Sequence, residues 1–218
     1  MKRGIFFFIV VAVLCISAYS QSSEGLTLAP GLNNDDLKKL IDNPAVLTAN
    51  VKELPKDSNG KNWFSLFCDT HIVSLVSIDT IYAVLNDYAD YPKNFSGSKK
   101  VEVIRKTNEG NVIKATAGKL GVTSTYVYLQ KEPINTSSEH YIIKTEINGE
   151  GDGTMKNMLT EYYLKTVVLD GKSYTYIRLR DFTDYMARMP GQLTVMKNSN
   201  ESSHKEGLVN IIKAAAKR

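Results

Sequence analysis

Cysteine is almost absent: the 218 residues contain two, Cys15 and Cys68. Cys15 lies in an N-terminal apolar run, so loss of that run would leave Cys68 without an intramolecular partner, and the fold must be held by its core. Cys68 then reads as a small buried apolar residue. Histidine occurs three times, at His71, His140 and His204. None stands at a metal-ligand spacing from cysteines or carboxylates, which argues against a zinc centre. No Gly-x-Ser-x-Gly elbow is present, and Cys68 has no evident base beside it. The glycines of residues 149–153 lack the Lys-Ser/Thr ending of a phosphate loop and open no helix. No Lys/Arg cluster is interleaved with aromatics, so nucleic-acid binding has no support. No catalytic set, metal site or cofactor motif emerges.

Long apolar runs are also missing. The longest, residues 5–16, contains Phe6-Phe7-Phe8-Ile9-Val10-Val11 and falls short of the roughly 20 residues a membrane span needs. It follows Lys2 and Arg3 and precedes Ala18-Tyr19-Ser20, the pattern of a targeting signal cut before Gln21. An uncleaved anchor and lipidation at Cys15 are the alternatives. Lys2 and Arg3 carry two of the four excess positive charges, so the remainder is only mildly basic. Residues 1–20 are thus read as a signal peptide, 21–62 as a leader and 63–218 as the domain, with a secreted or periplasmic location expected.

What is abundant is β-forming aromatic residues: twelve Tyr and seven Phe, side chains that suit a pleated, half-buried surface. In the leader, Asn33-Asn34-Asp35 can cap a short helix carrying Leu37, Leu40 and Ile41 and ended by Pro44. Residues 63–74 alternate as a strand. Ser77 then offers a helix cap before Ile78, Ile81, Tyr82 and Leu85, and a second short helical stretch spans 88–95. Six further strands follow at 101–106, 112–117, 122–131, 140–147, 158–169 and 174–183. They are punctuated by turns, of which Asp170-Gly171 is the strongest hairpin signal. The tail, 190–216, reads as one long helix, bent or loosened near Asn198, with Leu208, Ile211, Ile212 and Ala215 on one face.

Alternation assigns the strand faces. Along 158–168 the inner set is Met158, Thr160, Tyr162, Leu164, Thr166 and Val168. Along 140–147 it is Tyr141, Ile143, Thr145 and Ile147, with Lys144 and Glu146 outward. Along 174–183 it includes Ile177 and Leu179, between Arg178 and Arg180. The strand at 122–129 is ambiguous, Tyr126 and Tyr128 sharing one face and Thr125, Val127 and Leu129 the other. The neighbours of His71 and His140 suggest exposure, and His204 falls in the polar part of the tail.

The stretch Ser77-Ile-Asp-Thr-Ile-Tyr-Ala-Val-Leu-Asn-Asp-Tyr-Ala-Asp-Tyr-Pro-Lys-Asn-Phe95, followed by Val101-Glu102-Val103, resembles the START-like superfamily, and within it the bacterial polyketide cyclase and ubiquinone-binding-protein branch. Lys119-Leu-Gly-Val-Thr-Ser-Thr-Tyr126 and Met189-Pro190-Gly191 fit the same pattern, and the likeness covers about residues 63–217. The polar segment 198–204 departs from it. The resemblance implies an α+β helix-grip fold: a seven-stranded curved antiparallel sheet around a long C-terminal helix, with two short helices after the first strand. It also implies an internal cavity for a lipid, isoprenoid or other hydrophobic small molecule. Candidate lining residues are Tyr82, Tyr126, Ile143, Thr145, Tyr162, Leu164, Ile177, Leu179, Leu193 and Met196. The expected role is a non-catalytic carrier or sensor with transient membrane contact. The alternatives are a cyclase or dehydratase using Asp181 and Arg178, and an interaction module whose cavity is filled. Oligomeric state carries no sequence signal.

Overall fold

A computed structural model describes residues 26–95, 97–119 and 122–218. The expected targeting segment and Leu120-Gly121 lie outside the described residues.

The described elements run α1 (Asn34–Lys39), β1 (Ala45–Leu54), β2 (Trp63–Ser74), α2 (Ile78–Asn86), a 3-10 turn (Tyr88–Asp90), α3 (Tyr91–Asn94), β3 (Ser98–Thr107), β4 (Gly110–Lys119), β5 (Val122–Lys131), β6 (Ile134–Asn135), β7 (Glu139–Gly151), β8 (Met155–Leu169), β9 (Lys172–Met186) and α4 (Gln192–Ala215). The helix-grip plan is therefore present, but its sheet is larger than the seven strands expected. Its order is β1-β2-β9-β8-β7-β5-β4-β3, with β6 on β7, all antiparallel. The two additions are β1 and the two-residue β6. β1 is an edge strand whose pairing with β2 shifts register between Val46 and Thr48. An edge strand is largely exposed and loses alternation at such an irregularity, so its pattern is weak.

Local chemistry sets the junctions. The Ser77 hydroxyl accepts from Thr80 N at 3.3 Å and starts α2. Its Ile78, Ile81, Val84 and Leu85 are buried. Asp170 and Gly171 both take positive φ, 49° and 74°, the backbone of a type I′ turn joining β8 to β9. α4 is helical from Gln192 to Ala215, through the polar segment around Asn198. Pro190 stands just before it rather than in its first turn.

Two apolar layers clad the sheet. On the concave face, Leu208, Ile211 and Ala215 of α4 pack with Ile81 and Leu85 of α2 and with Ile72, Ile142, Leu164 and Ile177 of the strands. On the convex face, Leu26, Leu37 and Leu40 cover Val73, Tyr163, Leu169 and Tyr176. Beneath that cover Arg178 holds Asp69 through two parallel bonds, Nε–Oδ1 at 2.9 Å and Nη2–Oδ2 at 2.6 Å, and donates from Nη1 to Thr27 O at 3.0 Å. Arg178 is thus a buried convex-face residue, not a cavity-mouth one. His71 and His140, expected to be exposed, are both buried.

Removing one partner of a buried ion pair leaves an uncompensated charge, at a cost of about 3–5 kcal/mol. Asp69→Ala is expected to lower unfolding free energy by that amount in urea titration. A loss below about 1 kcal/mol, the range of an exposed pair, would contradict this account of the convex face.

Candidate ligand-binding site

Leu208, Ile211 and Ala215 seat α4 on the sheet and α2. Between α4 and the concave face lies a cavity of about 470 Å³. Met196, His204, Gly207 and Ile211 reach it from α4, Tyr91 and Phe95 from the α3 region, and strand residues form the remaining walls. Leu179, Tyr162, Phe95 and Ile211 belong both to this wall and to the packed core or its margin, so the cavity adjoins the packed core. The rim includes Gly97, Ser98, Ala117, Gly118 and Ser124.

Strand register explains which side chains face inward. Lys144 pairs with Thr160, Thr160 with Asp181, and Asp181 with Cys68, a row crossing β7, β8, β9 and β2. Directly paired residues share a face. Lys144, Thr160 and Asp181 all line the cavity. The row beside it, Ile142-Tyr162-Leu179-Thr70, brings Tyr162 and Leu179 to the cavity.

The expected lining residues therefore separate into groups. Tyr126, Tyr162, Leu179 and Met196 meet in the cavity. Leu164 and Ile177, with Tyr82 at the margin, pack in the filled half. Leu193 is half-buried in the first turn of α4, outside the lining. Ile143 and Thr145 are corrected to the convex face. Ile142, Lys144 and Glu146 point inward instead. The adjacent pair Ile142-Ile143 made both phases of alternation apolar, and the usual outward placement of a lysine selected the wrong one. The ambiguous strand β5 presents Tyr126 and Tyr128 to the interior, where Tyr128 is buried.

Two polar groups stand out in this wall. Lys144, only 6% exposed, donates from Nζ to the Tyr91 hydroxyl at 3.0 Å. That hydroxyl donates onward to Leu85 O at 2.6 Å. The Nζ also lies 5.2, 5.6 and 5.3 Å from the ring centroids of Tyr91, Tyr128 and Tyr162, within cation–π range. Burial pulls the Lys144 ammonium below its ordinary range, opposed by Tyr162 and Asp181. Burial pushes the tyrosine hydroxyls up, that of Tyr126 to about 12, so Tyr126 stays protonated near neutral pH.

The second group is Asp181. It accepts from Thr160 Oγ1 at 2.5 Å and faces His204 Nε2 at 3.3 Å. The other ring nitrogen, Nδ1, lies 2.8 Å from Asn200 O. Burial disfavours the charged ring, but hydrogen bonds with Asp181 and Cys68 outweigh it and lift His204 to about 10. With both nitrogens donating, His204 and Asp181 form an ion pair in the cavity wall. Asn200, one turn away, donates from Nδ2 to Phe67 O at 2.9 Å and ties α4 to β2. The polar segment 198–204, an irregularity when read as sequence, thus anchors the helix over the cavity.

A folded-state pKa above the ordinary 6.5 means that this stabilisation is complete below about pH 6.5 and fades as pH rises towards 10. In Asp181→Asn the His204 ring is expected to titrate near or below 6.5 by NMR, and the alkaline decline in stability to flatten. An unchanged titration in that variant would show that Asp181 does not set the charge of His204.

No protein-family model and no curated protein sequence matches the chain. Solved structures do. The chain is similar to human STARD10 at 14% identity, covering 89% of this chain and 83% of that one, with a TM-score of 0.58. The human StarD13 (DLC2) lipid transfer and protein localization domain matches at 8% identity over 77% and 89%, TM-score 0.52. The Zhui aromatase/cyclase of Streptomyces sp. R1128 matches at 15% identity over 71% and 95%, TM-score 0.51. The STARD10 match covers more of this chain than the residues from Trp63 onward can supply, so it takes in part of the N-terminal segment as well. The curved sheet, the long C-terminal helix laid in its hollow and these likenesses together show that the chain has the START-like helix-grip fold.

Proposed function

We propose that this protein is an exported carrier or sensor that holds a hydrophobic small molecule or lipid between α4 and the concave sheet. The observation that carries this reading is the cavity of about 470 Å³ between α4 and the concave sheet, within the roughly 300–1,000 Å³ typical of small-molecule sites. Each methylene moved from water into such a site contributes about 0.8 kcal/mol, so an alkyl chain is an effective guest. Lipid transfer in the name of one similar structure supports the same reading. The cyclase alternative is less well supported because Asp181, the acid in the wall, is already engaged by Thr160 and His204. The interaction-module alternative requires a filled hollow. Met189 and Val195, 42% and 47% exposed at the entry to α4, suit transient contact with a membrane during loading. Export rests on the N-terminal pattern; mass spectrometry of protein from the native host is expected to show a chain beginning at Gln21, and a cell-retained chain beginning at Met1 would contradict it.

Gly207 provides the test of the cavity. It lies on the face of α4 shared with Ser203, His204 and Ile211, all of which line the cavity, and a Cβ at this position would meet no atom within 4 Å. A glycine inside a helix costs about 0.5–1 kcal/mol relative to alanine, so Gly207→Ala is expected to stabilise the fold by that amount in urea titration. Gly207→Trp is expected to fill the hollow and reduce binding of a fluorescent fatty acid at least tenfold without lowering the melting temperature. Undiminished binding in the tryptophan variant would refute the cavity as the ligand site.

A further inference from the structure

We propose that Lys144 and Tyr91 form an anion subsite on the cavity floor and that the guest is an amphiphile with a terminal carboxylate, its chain running towards Met196 and the rim. The proposal rests on the cavity being the ligand site and adds the chemical class of the guest.

The geometry is that of a cation awaiting a counter-ion. The Lys144 ammonium has three N–H donors. One is used, on the hydroxyl of Tyr91, whose own proton is committed to Leu85 O. The rings of Tyr91, Tyr128 and Tyr162 surround the ammonium but carry no net charge. The charged and titratable groups facing Lys144 from the packed elements are Tyr91 from α3, Tyr126 and Tyr128 from β5, Tyr162 from β8, Asp181 from β9 and, across the cavity, His204 from α4. Asp181 is engaged by Thr160 and balanced by His204. Glu146, two residues further along β7, lines the neighbouring hollow beside Trp63 and Lys156. Among the described residues no carboxylate lies within ion-pair distance of Lys144 Nζ.

A buried cation without a counter-ion is costly, and pairing it with an anion relieves much of that cost. A guest carboxylate would supply both the charge and an acceptor for the two remaining N–H donors. The subsite has one point charge and a single hydroxyl, with no arginine fork, which suits a monoanion better than a phosphate. Binding should be coupled to protonation: the anion favours the ammonium, so affinity for the acid falls as pH rises above the pKa of Lys144 in the empty protein.

The test compares tetradecanoic acid, tetradecan-1-ol and tetradecyl phosphate by calorimetry on the whole folded protein, in two buffers of different ionisation enthalpy. The acid is expected to bind at least tenfold more tightly than the alcohol and to take up protons above the pKa of Lys144 in the empty protein. Lys144→Met is expected to abolish that preference while retaining alcohol binding. Equal binding of acid and alcohol by the wild type, a preference that survives in Lys144→Met, or tighter binding of the phosphate would each overturn the carboxylate assignment while leaving the cavity reading intact. Failure of all three probes to bind would overturn the cavity reading and this proposal together.

Discussion

A sheet curled around one helix encloses more space than that helix can fill, and here the surplus is gathered at one end. Leu208, Ile211 and Ala215 bring the C-terminal half of α4 into full contact with the strands and α2. Elsewhere along the helix Met196, His204 and Gly207 face a hollow instead. Close packing on one side is what permits emptiness on the other, because stability can be supplied locally while the remaining concave surface stays unfilled. Asn200, bonded to Phe67 O, and the Asp181–His204 pair add polar ties between the helix and the strands beside the hollow.

The convex face serves the same end. Residues 26–40 cover it and bury the Asp69–Arg178 pair together with Tyr163 and Tyr176. The central strands are therefore covered on both faces. A second core outside the sheet stiffens the curved wall that the first core leaves partly bare. The START-like structures to which the chain is similar differ in how much of it they match, the aromatase/cyclase less and STARD10 more, in line with an N-terminal segment that is part of the fold.

This cladding also explains what could be read in the sequence. Ser77, the apolar spacing of α2 and the Asp170-Gly171 turn are local signals, and the structure realises each of them. The inward residues at the centres of β8 and β9 were legible because Glu161, Lys165, Arg178 and Arg180 alternate with apolar residues; Val168, read as inward, is instead 61% exposed near the end of β8. β7 was not, because Ile142 and Ile143 are adjacent and the convex face is partly covered as well. Inverting that strand hid Lys144, whose inward placement becomes evident only from its pairing with Thr160. His204 and Asp181 are 23 positions apart in the chain and meet only once α4 lies across β9. Nothing local records that meeting. β1 was obscured by its edge position and its irregular register.

The central claim is that the hollow between α4 and the concave sheet admits an apolar guest. A crystal structure of the protein soaked with a long-chain acid brominated at its far end tests it directly, because bromine scatters anomalously and marks its own position. An anomalous peak between Met196 and Tyr126, with the carboxylate extending to Lys144, is the predicted result. Bromine found only at the outer surface, with the hollow closed by its own side chains, would contradict it.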